Sequence, residues 1–165
     1  MALADNPFAL LTVLVAPAIL TNASSVLCLG TGNRIARVVD RTRTLNAELA
    51  SLEPGHVRRD SYDRQLARLK VRAHLLLRAL RLFYTSIGSF AAAALISIIG
   101  SVLVSAFGDV LLKALAALGL VAGAVGVGGL VIGCTIMISE TRLAVQFLEE
   151  EAGLLDASGT SSGMM

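Results

Sequence analysis

The chain has 165 residues, of which 55% are hydrophobic, and its mean hydropathy is +0.75. This composition is too apolar for an ordinary soluble domain. The formal net charge is only +2, but twelve of the fourteen Lys and Arg residues lie between Arg34 and Arg81, so the positive charge is concentrated in one segment.

Three segments are long and apolar enough to cross a bilayer, which requires about 20 apolar residues. They are residues 8–32, 84–107 and 111–139, and they contain no Asp or Glu. Lys113 is the one basic residue among them. Because three such segments occur in one short chain, we predict an all-α integral membrane protein with three transmembrane helices.

The first segment could instead be a cleaved signal peptide, which has a basic N-terminal region and an apolar stretch of about 7–15 residues. The chain has Asp5 but no Lys or Arg before its first span, and the apolar run is about twice too long for a signal peptide. We therefore expect this segment to remain as a transmembrane helix.

A polar cluster follows Pro17 in the first span and consists of Thr21, Asn22, Ser24 and Ser25. Asn22 is the one amide side chain in the three spans. These side chains could line a pore or a small binding site, with Pro17 opening the local backbone. The alternative is a structural role in which Asn22 forms an interhelical hydrogen bond.

The basic segment between the first two spans sets the expected orientation, because Lys and Arg accumulate in cytoplasmic loops. Residues 33–83 should therefore lie in the cytoplasm. The N-terminus and the short turn at 108–112 should then face outward, and the C-terminus should be cytoplasmic.

Residues 33–83 carry two apolar stripes with alternating steps of three and four, separated by a helix break at Pro54-Gly55. Two such stripes predict an antiparallel helical hairpin of the coiled-coil type. The alternative is a pair of amphipathic helices lying on the membrane surface. The same register continues into both adjoining spans, so each arm should be one long helix. The stripes are Ile35, Val38, Thr42, Leu45, Leu49 and Leu52, then Leu66, Leu69, Ala73, Leu76, Leu80 and Phe83.

A charged and polar cluster begins directly after the first span. On a helix, Arg37 and Asp40 share a face with Asn33, and Arg37 and Asp40 could pair at i,i+3. The guanidinium groups could engage anionic lipid headgroups or a partner protein, although a solvated charged face is the alternative. The candidate binding residues are Asn33, Arg34, Arg37, Asp40, Arg41 and Arg43.

Small residues form stripes in the second and third spans. The second has Ser or Ala at every fourth position from Ser89 to Ser105, and the third has GxxxG motifs at 119–123 and 129–133. Such stripes permit close helix packing. We expect a homo-oligomer, the alternative being a single three-helix bundle.

An acidic segment follows the third span. Residues 140–156 carry five acids and one base, a net −4, whereas residues 33–83 carry twelve bases and five acids, a net +7. We expect a C-terminal cytoplasmic helix that runs to about Leu155 and packs against the hairpin. The Ser/Gly-rich tail at 157–165 should be disordered.

Two motifs resemble a known family. NRIARVVDRTR directly follows the first span, SETRLAVQFLEEE follows the third, and both are similar to domain of unknown function family 2721. The resemblance covers most of the chain, from about residue 10 to residue 155. It implies a small three-span protein of the bacterial inner membrane, and it implies no catalytic residue.

The sequence contains no nucleophile–base–acid set, so we expect no enzyme, and an activity on lipid would lack any acid–base or metal group. We expect no metal site and no cofactor, because there is no CxxC motif and no ligand cluster around His56 or His74. Cys28 and Cys134 should be reduced thiols.

Two functions remain for a protein whose expected partners include membrane lipids but not nucleic acid. One is a homo-oligomeric pore or channel lined by the polar cluster. The other is a membrane scaffold whose basic stalk binds a cytoplasmic protein or anionic lipid.

Overall fold

A computed structural model describes residues 7–52, 59–103 and 109–162, with side chains described over 15–52, 59–102 and 110–146. It contains three helices: α1 (Pro7–Ser51), α2 (Arg59–Leu103) and α3 (Asp109–Ser162). No strand occurs within these ranges, so the all-α prediction is confirmed. All three helices are long and apolar enough to cross a membrane.

Each helix continues without a break from its apolar span into its charged part. The 45 residues of α1 correspond to about 68 Å at 1.5 Å per residue, more than twice the thickness of a bilayer core. Pro17 lies inside α1 and does not end it. The prediction that each arm adjoining the first two spans is one long helix is therefore confirmed.

The last helix extends further than the sequence indicates. We predicted a helical end near Leu155 and disorder afterwards, but α3 is helical to Ser162. Extension of an existing helix gains one hydrogen bond per residue without a new nucleation step, which accounts for the extra turns. The predicted disorder of residues 163–165 lies outside the described residues.

α2 is the central helix and packs against both of the others. α2 and α3 are antiparallel, because Phe90 lies against Gly126 and Phe83 lies against Gly133. α1 and α3 are parallel, and they meet through Thr31–Met137 and Arg34–Glu140. The chain therefore forms a bundle in which the two outer helices touch at one level.

The two apolar stripes predicted for residues 33–83 face the inside of this bundle. None of their members is classed as exposed, and Val38, Leu45, Leu76 and Phe83 are buried. The stripe of α1 continues through Thr31, Cys28 and Ser24, all buried, and that of α2 continues to the buried Phe90. The alternating spacing therefore identified the buried faces correctly.

The apolar part of α2 begins earlier in the chain than the sequence predicted. Phe83 lies against Gly133 and in one buried cluster with Cys28, both of which belong to the predicted spans of their own helices. The apolar region of α2 therefore begins before Tyr84. Arg78 and Arg81 are exposed on this stretch, where long side chains can extend toward the interface.

Three glycines of α3 allow α2 to approach closely. A Cβ atom on Gly126 would lie 2.6 Å from Phe90, one on Gly133 would lie 2.5 Å from Phe83, and one on Gly129 would lie 2.7 Å from the hydroxyl of Ser86. Apart from the backbone of α3 itself, no described heavy atom lies within 4 Å of the corresponding position on Gly123 or Gly128. The glycines of α3 therefore lie on a face that contacts α2 and on a face that contacts no described residue.

The outer surface of the predicted spans is apolar. Large aliphatic side chains are exposed on every helix, as expected for a bundle surrounded by lipid rather than water. Examples are Val26 and Leu29 on α1, Leu95 and Ile98 on α2, and Leu120, Val125 and Val131 on α3.

Candidate functional site: a buried carboxylate beside a cationic groove

Glu140 is a buried charged residue at the point where the apolar run of α3 ends. Its exposed fraction is 1%. A buried carboxylate is costly unless it is paired and hydrogen-bonded, so the partners of this side chain are expected to be structurally important.

Both carboxylate oxygens of Glu140 are held by arginines, and the two arginines come from different helices. Arg72 of α2 donates to Oε1 from Nε at 2.9 Å, and its Nη2 lies 2.8 Å from the same oxygen. Arg34 of α1 donates from Nη1 to Oε2 at 3.3 Å. One carboxylate therefore joins all three helices at a single level.

The two arginines are less buried than the acid that they bind. The side chains of Arg34 and Arg72 are 41% and 30% exposed, and Arg34 also donates to the hydroxyl of Thr141 at 3.1 Å. Two guanidinium groups share one carboxylate, so the triad of Arg34, Arg72 and Glu140 keeps a net charge of +1. This surplus faces an open groove.

The groove lies between α1 and α2 and has a volume of about 360 Å³. The i,i+3,i+7 spacing of Arg34, Arg37 and Arg41 places them on one side of α1, and Arg72 closes the opposite wall. Arg37 and Arg41 form no hydrogen bond or ion pair with any side chain that the structure describes, so their charge remains available. The groove is lined by Arg34, Arg37, Val38, Arg41, Leu69 and Arg72.

Four clustered guanidinium groups favour one class of ligand. Each presents planar N–H donors that match the oxygens of phosphate or carboxylate in pairs. Val38 and Leu69 add an apolar part to the lining. The arrangement is suited to an anionic group attached to an apolar body.

A family described as "Protein of unknown function (DUF2721)" matches residues 14–150. The chain belongs to this family. No curated protein and no solved structure matches the chain.

The DUF2721 match includes every predicted binding residue, but the structure divides them into two groups. Arg34, Arg37 and Arg41 line the groove. Asn33, Asp40 and Arg43 are exposed and lie outside it. The i,i+3 pairing proposed for Arg37 and Asp40 is not formed.

Sequence reasoning missed the two groups that complete the site, Arg72 and Glu140. The sequence predicted attraction between an acidic C-terminal segment and the basic segment, but it did not identify one buried acid. A usable signal was present, because Glu140 directly follows the uncharged run that ends at Ser139. A buried acid in that position is costly unless a cationic partner binds it.

The predicted polar cluster of α1 is also divided between two faces. Ser24 is fully buried, and its hydroxyl has no hydrogen-bond partner among the described residues. Asn22 and Ser25 are exposed, Thr21 is half-buried, and the Ser25 hydroxyl donates to the Thr21 carbonyl oxygen at 2.9 Å. The four side chains therefore do not line a single path.

Proposed function

We propose that the protein spans the bacterial inner membrane three times, with residues 33–83 forming a cytoplasmic helical hairpin. The concentration of Lys and Arg in that segment supports this orientation. The leading end of α1 and the connection between α2 and α3 then face outward, and the charged end of α3 is cytoplasmic.

In this orientation, the protein is a non-enzymatic scaffold whose groove binds the phosphate of an anionic lipid headgroup. The observation that carries the proposal is the set of four arginines lining one groove at the level where the apolar parts of α1 and α3 end. With Glu140 included, these charges sum to +3. Basic groups at the cytoplasmic surface attract anionic lipids by about 1 kcal/mol each.

The position of the groove favours a lipid over an acidic protein segment. Arg34 follows the last apolar turn of its span, so its guanidinium group lies at the depth of lipid phosphates. Val38 and Leu69 can contact the glycerol and first methylene groups of the same lipid, which a free phosphate would leave uncovered.

The double substitution Arg37→Gln/Arg41→Gln should lower the affinity for phosphatidylglycerol by about tenfold or more, because charge-assisted hydrogen bonds contribute about 1.5–3 kcal/mol. These two residues are suitable because neither is bound to Glu140. Lipid retained by the purified protein in neutral detergent, measured by native mass spectrometry, gives the affinity. Phosphatidylcholine serves as the headgroup control.

Arg43→Gln is the matched control, because Arg43 is exposed on the same helix but does not line the groove. It should change the affinity less than about twofold, as expected for a screened surface charge. An equal loss for both variants would indicate general surface attraction and contradict the groove. A wild-type protein that retains no phosphatidylglycerol, or retains an acidic peptide instead, would also contradict it.

Asn22 supports a second candidate function, a homo-oligomer that could form a pore. Asn22 is exposed on α1 and lies about 15 Å from Gly32 at 1.5 Å per residue, near the middle of a bilayer core of about 30 Å. An amide facing lipid at this depth is costly, and a second copy of the chain could satisfy it by hydrogen bonding.

Asn22→Cys in a background of Cys28→Ser/Cys134→Ser should produce cross-linked dimers when membranes are oxidised, because the new thiol faces a neighbouring chain. Ser24→Cys in the same background is the control and should give none, since Ser24 is buried inside its own bundle. Electrophoresis without reductant measures the dimer. Equal cross-linking of both variants, or of neither, would exclude an interface at Asn22.

A further inference from the structure

The facing stripes of α1 and α3 are in constant register. The Thr31 hydroxyl lies 3.7 Å from Sδ of Met137, and Arg34 binds Glu140, so both contacts join residues that are 106 positions apart in the chain. One turn further into the membrane, this offset pairs Cys28 with Cys134. A single step of three residues turns only about 60° around an α-helix, so Cys28 stays beside Thr31, and Cys134 beside Met137, on the facing sides.

The sulfur-bearing residues also share one apolar cluster. Cys28 is buried with Ala79 and Phe83 of α2, and Cys134 and Met137 of α3 pack against this group. Cys28 is 8% exposed, and neither cysteine forms a disulfide. Two thiols and a thioether therefore belong to one apolar cluster, at the level where all three helices are in contact.

The neighbouring polar group leaves the thioether available. The Thr31 hydroxyl is within donating distance of the Leu27 carbonyl oxygen at 2.7 Å and of Sδ of Met137 at 3.7 Å. A thioether sulfur has two lone pairs, so this one weak contact leaves a lone pair of Met137 for another partner. No group of three or more His, Cys, Asp and Glu side chains occurs in the described parts of the chain. Within the apolar cluster itself, the side-chain atoms able to bind a metal are the soft sulfur atoms of Cys28, Cys134 and Met137.

We propose that Cys28, Cys134 and Met137 form a binding site for Cu(I). Thiolate and thioether ligands select this soft cation, whereas hard cations require oxygen ligands that the cluster lacks. The balanced step is the replacement of one thiol proton by Cu(I), which forms a copper–thiolate bond and releases the proton. The second thiol keeps its proton and, like Met137, is a neutral sulfur ligand. Because one thiolate neutralises one monovalent cation, the loaded site carries no net charge, as an apolar environment requires.

This proposal is independent of the lipid groove and differs from the expectation from sequence that the chain has no metal site. That expectation considered His56, His74 and closely spaced cysteines. The two cysteines are far apart in sequence, and the parallel packing of α1 and α3 brings them to one level.

The experiment uses the full chain in detergent under anaerobic, reducing conditions, with Cu(I) supplied as its bathocuproine disulfonate complex. Loss of the coloured complex measures transfer to the protein. The wild type should remove one Cu(I) per chain. Cys28→Ser and Cys134→Ser should abolish the transfer, and Met137→Leu should weaken it by about tenfold or more.

Ile136→Leu is the matched control, since Ile136 packs against the same cluster but carries no sulfur. It should take up Cu(I) as the wild type does. Met137→Leu conserves volume and apolarity, so it tests the sulfur even where a serine variant fails to fold. No transfer to the wild type, or undiminished transfer to Met137→Leu and both serine variants, would overturn the proposal.

Discussion

Glu140→Gln should lower the free energy of unfolding by about 2–4 kcal/mol. Removing one member of a buried ion pair costs about 3–5 kcal/mol when its partner stays buried. The value here is reduced because Arg34 and Arg72 keep 41% and 30% of their side chains exposed and can be hydrated. Unfolding in mixed detergent micelles, followed by circular dichroism, measures the change.

Asp40→Asn is the matched control, because Asp40 is exposed on α1 and forms no ion pair with a described residue. Its effect should stay within about 0.5 kcal/mol, as for most surface substitutions. Arg34→Gln and Arg72→Gln should each cost less than Glu140→Gln, because the other arginine still neutralises the acid. Equal effects of Glu140→Gln and Asp40→Asn would show that the triad does not hold the bundle together.

Gly126→Ala and Gly133→Ala should each destabilise the bundle by about 1–3 kcal/mol, the usual cost of overpacking a filled core. The added methyl groups would lie 2.6 Å from the Phe90 ring and 2.5 Å from the Phe83 ring. Both rings are buried, with exposed fractions of 1% and 0%, so neither can move outward without separating α2 from α3. The same micelle unfolding measurement applies.

Gly128→Ala separates the steric effect from helix propensity. Gly128 lies on the same helix, and no described heavy atom outside the backbone of α3 lies within 4 Å of its Cβ position. Alanine favours a helix over glycine by about 1 kcal/mol, so this variant should be neutral or slightly more stable. Destabilisation of all three variants alike would mean that the close approach of α2 is not what these glycines provide.

Much of the fold follows from the sequence because it depends on local periodicity. Alternating steps of three and four identified faces that are buried in the structure, from Thr31 to Leu45 on α1 and from Leu76 to Phe90 on α2. The length of the three apolar runs is by itself enough to predict three membrane-spanning helices. Helix ends were less well predicted, since the apolar region of α2 begins earlier and α3 ends later than expected.

The candidate site was only partly predictable because it depends on contacts between distant segments. Arg34, Arg37 and Arg41 were identified from one contiguous motif, but Arg72 and Glu140 gain their roles from a register that no single segment encodes. The burial of Ser24 and the exposure of Asn22 also depend on contacts between distant segments. Residues within one turn of a helix can face protein or lipid, and the packing of the neighbouring helices decides which.

The position of Glu140 in the chain sets an order for assembly. A ribosome makes Arg34 and Arg72 first and Glu140 last, because synthesis proceeds from the N-terminus. Before the third helix is made, the two guanidinium groups have no Glu140 to offset their like charge. The ion pairs that join α1, α2 and α3 at this level can therefore form only after α3 has been synthesised.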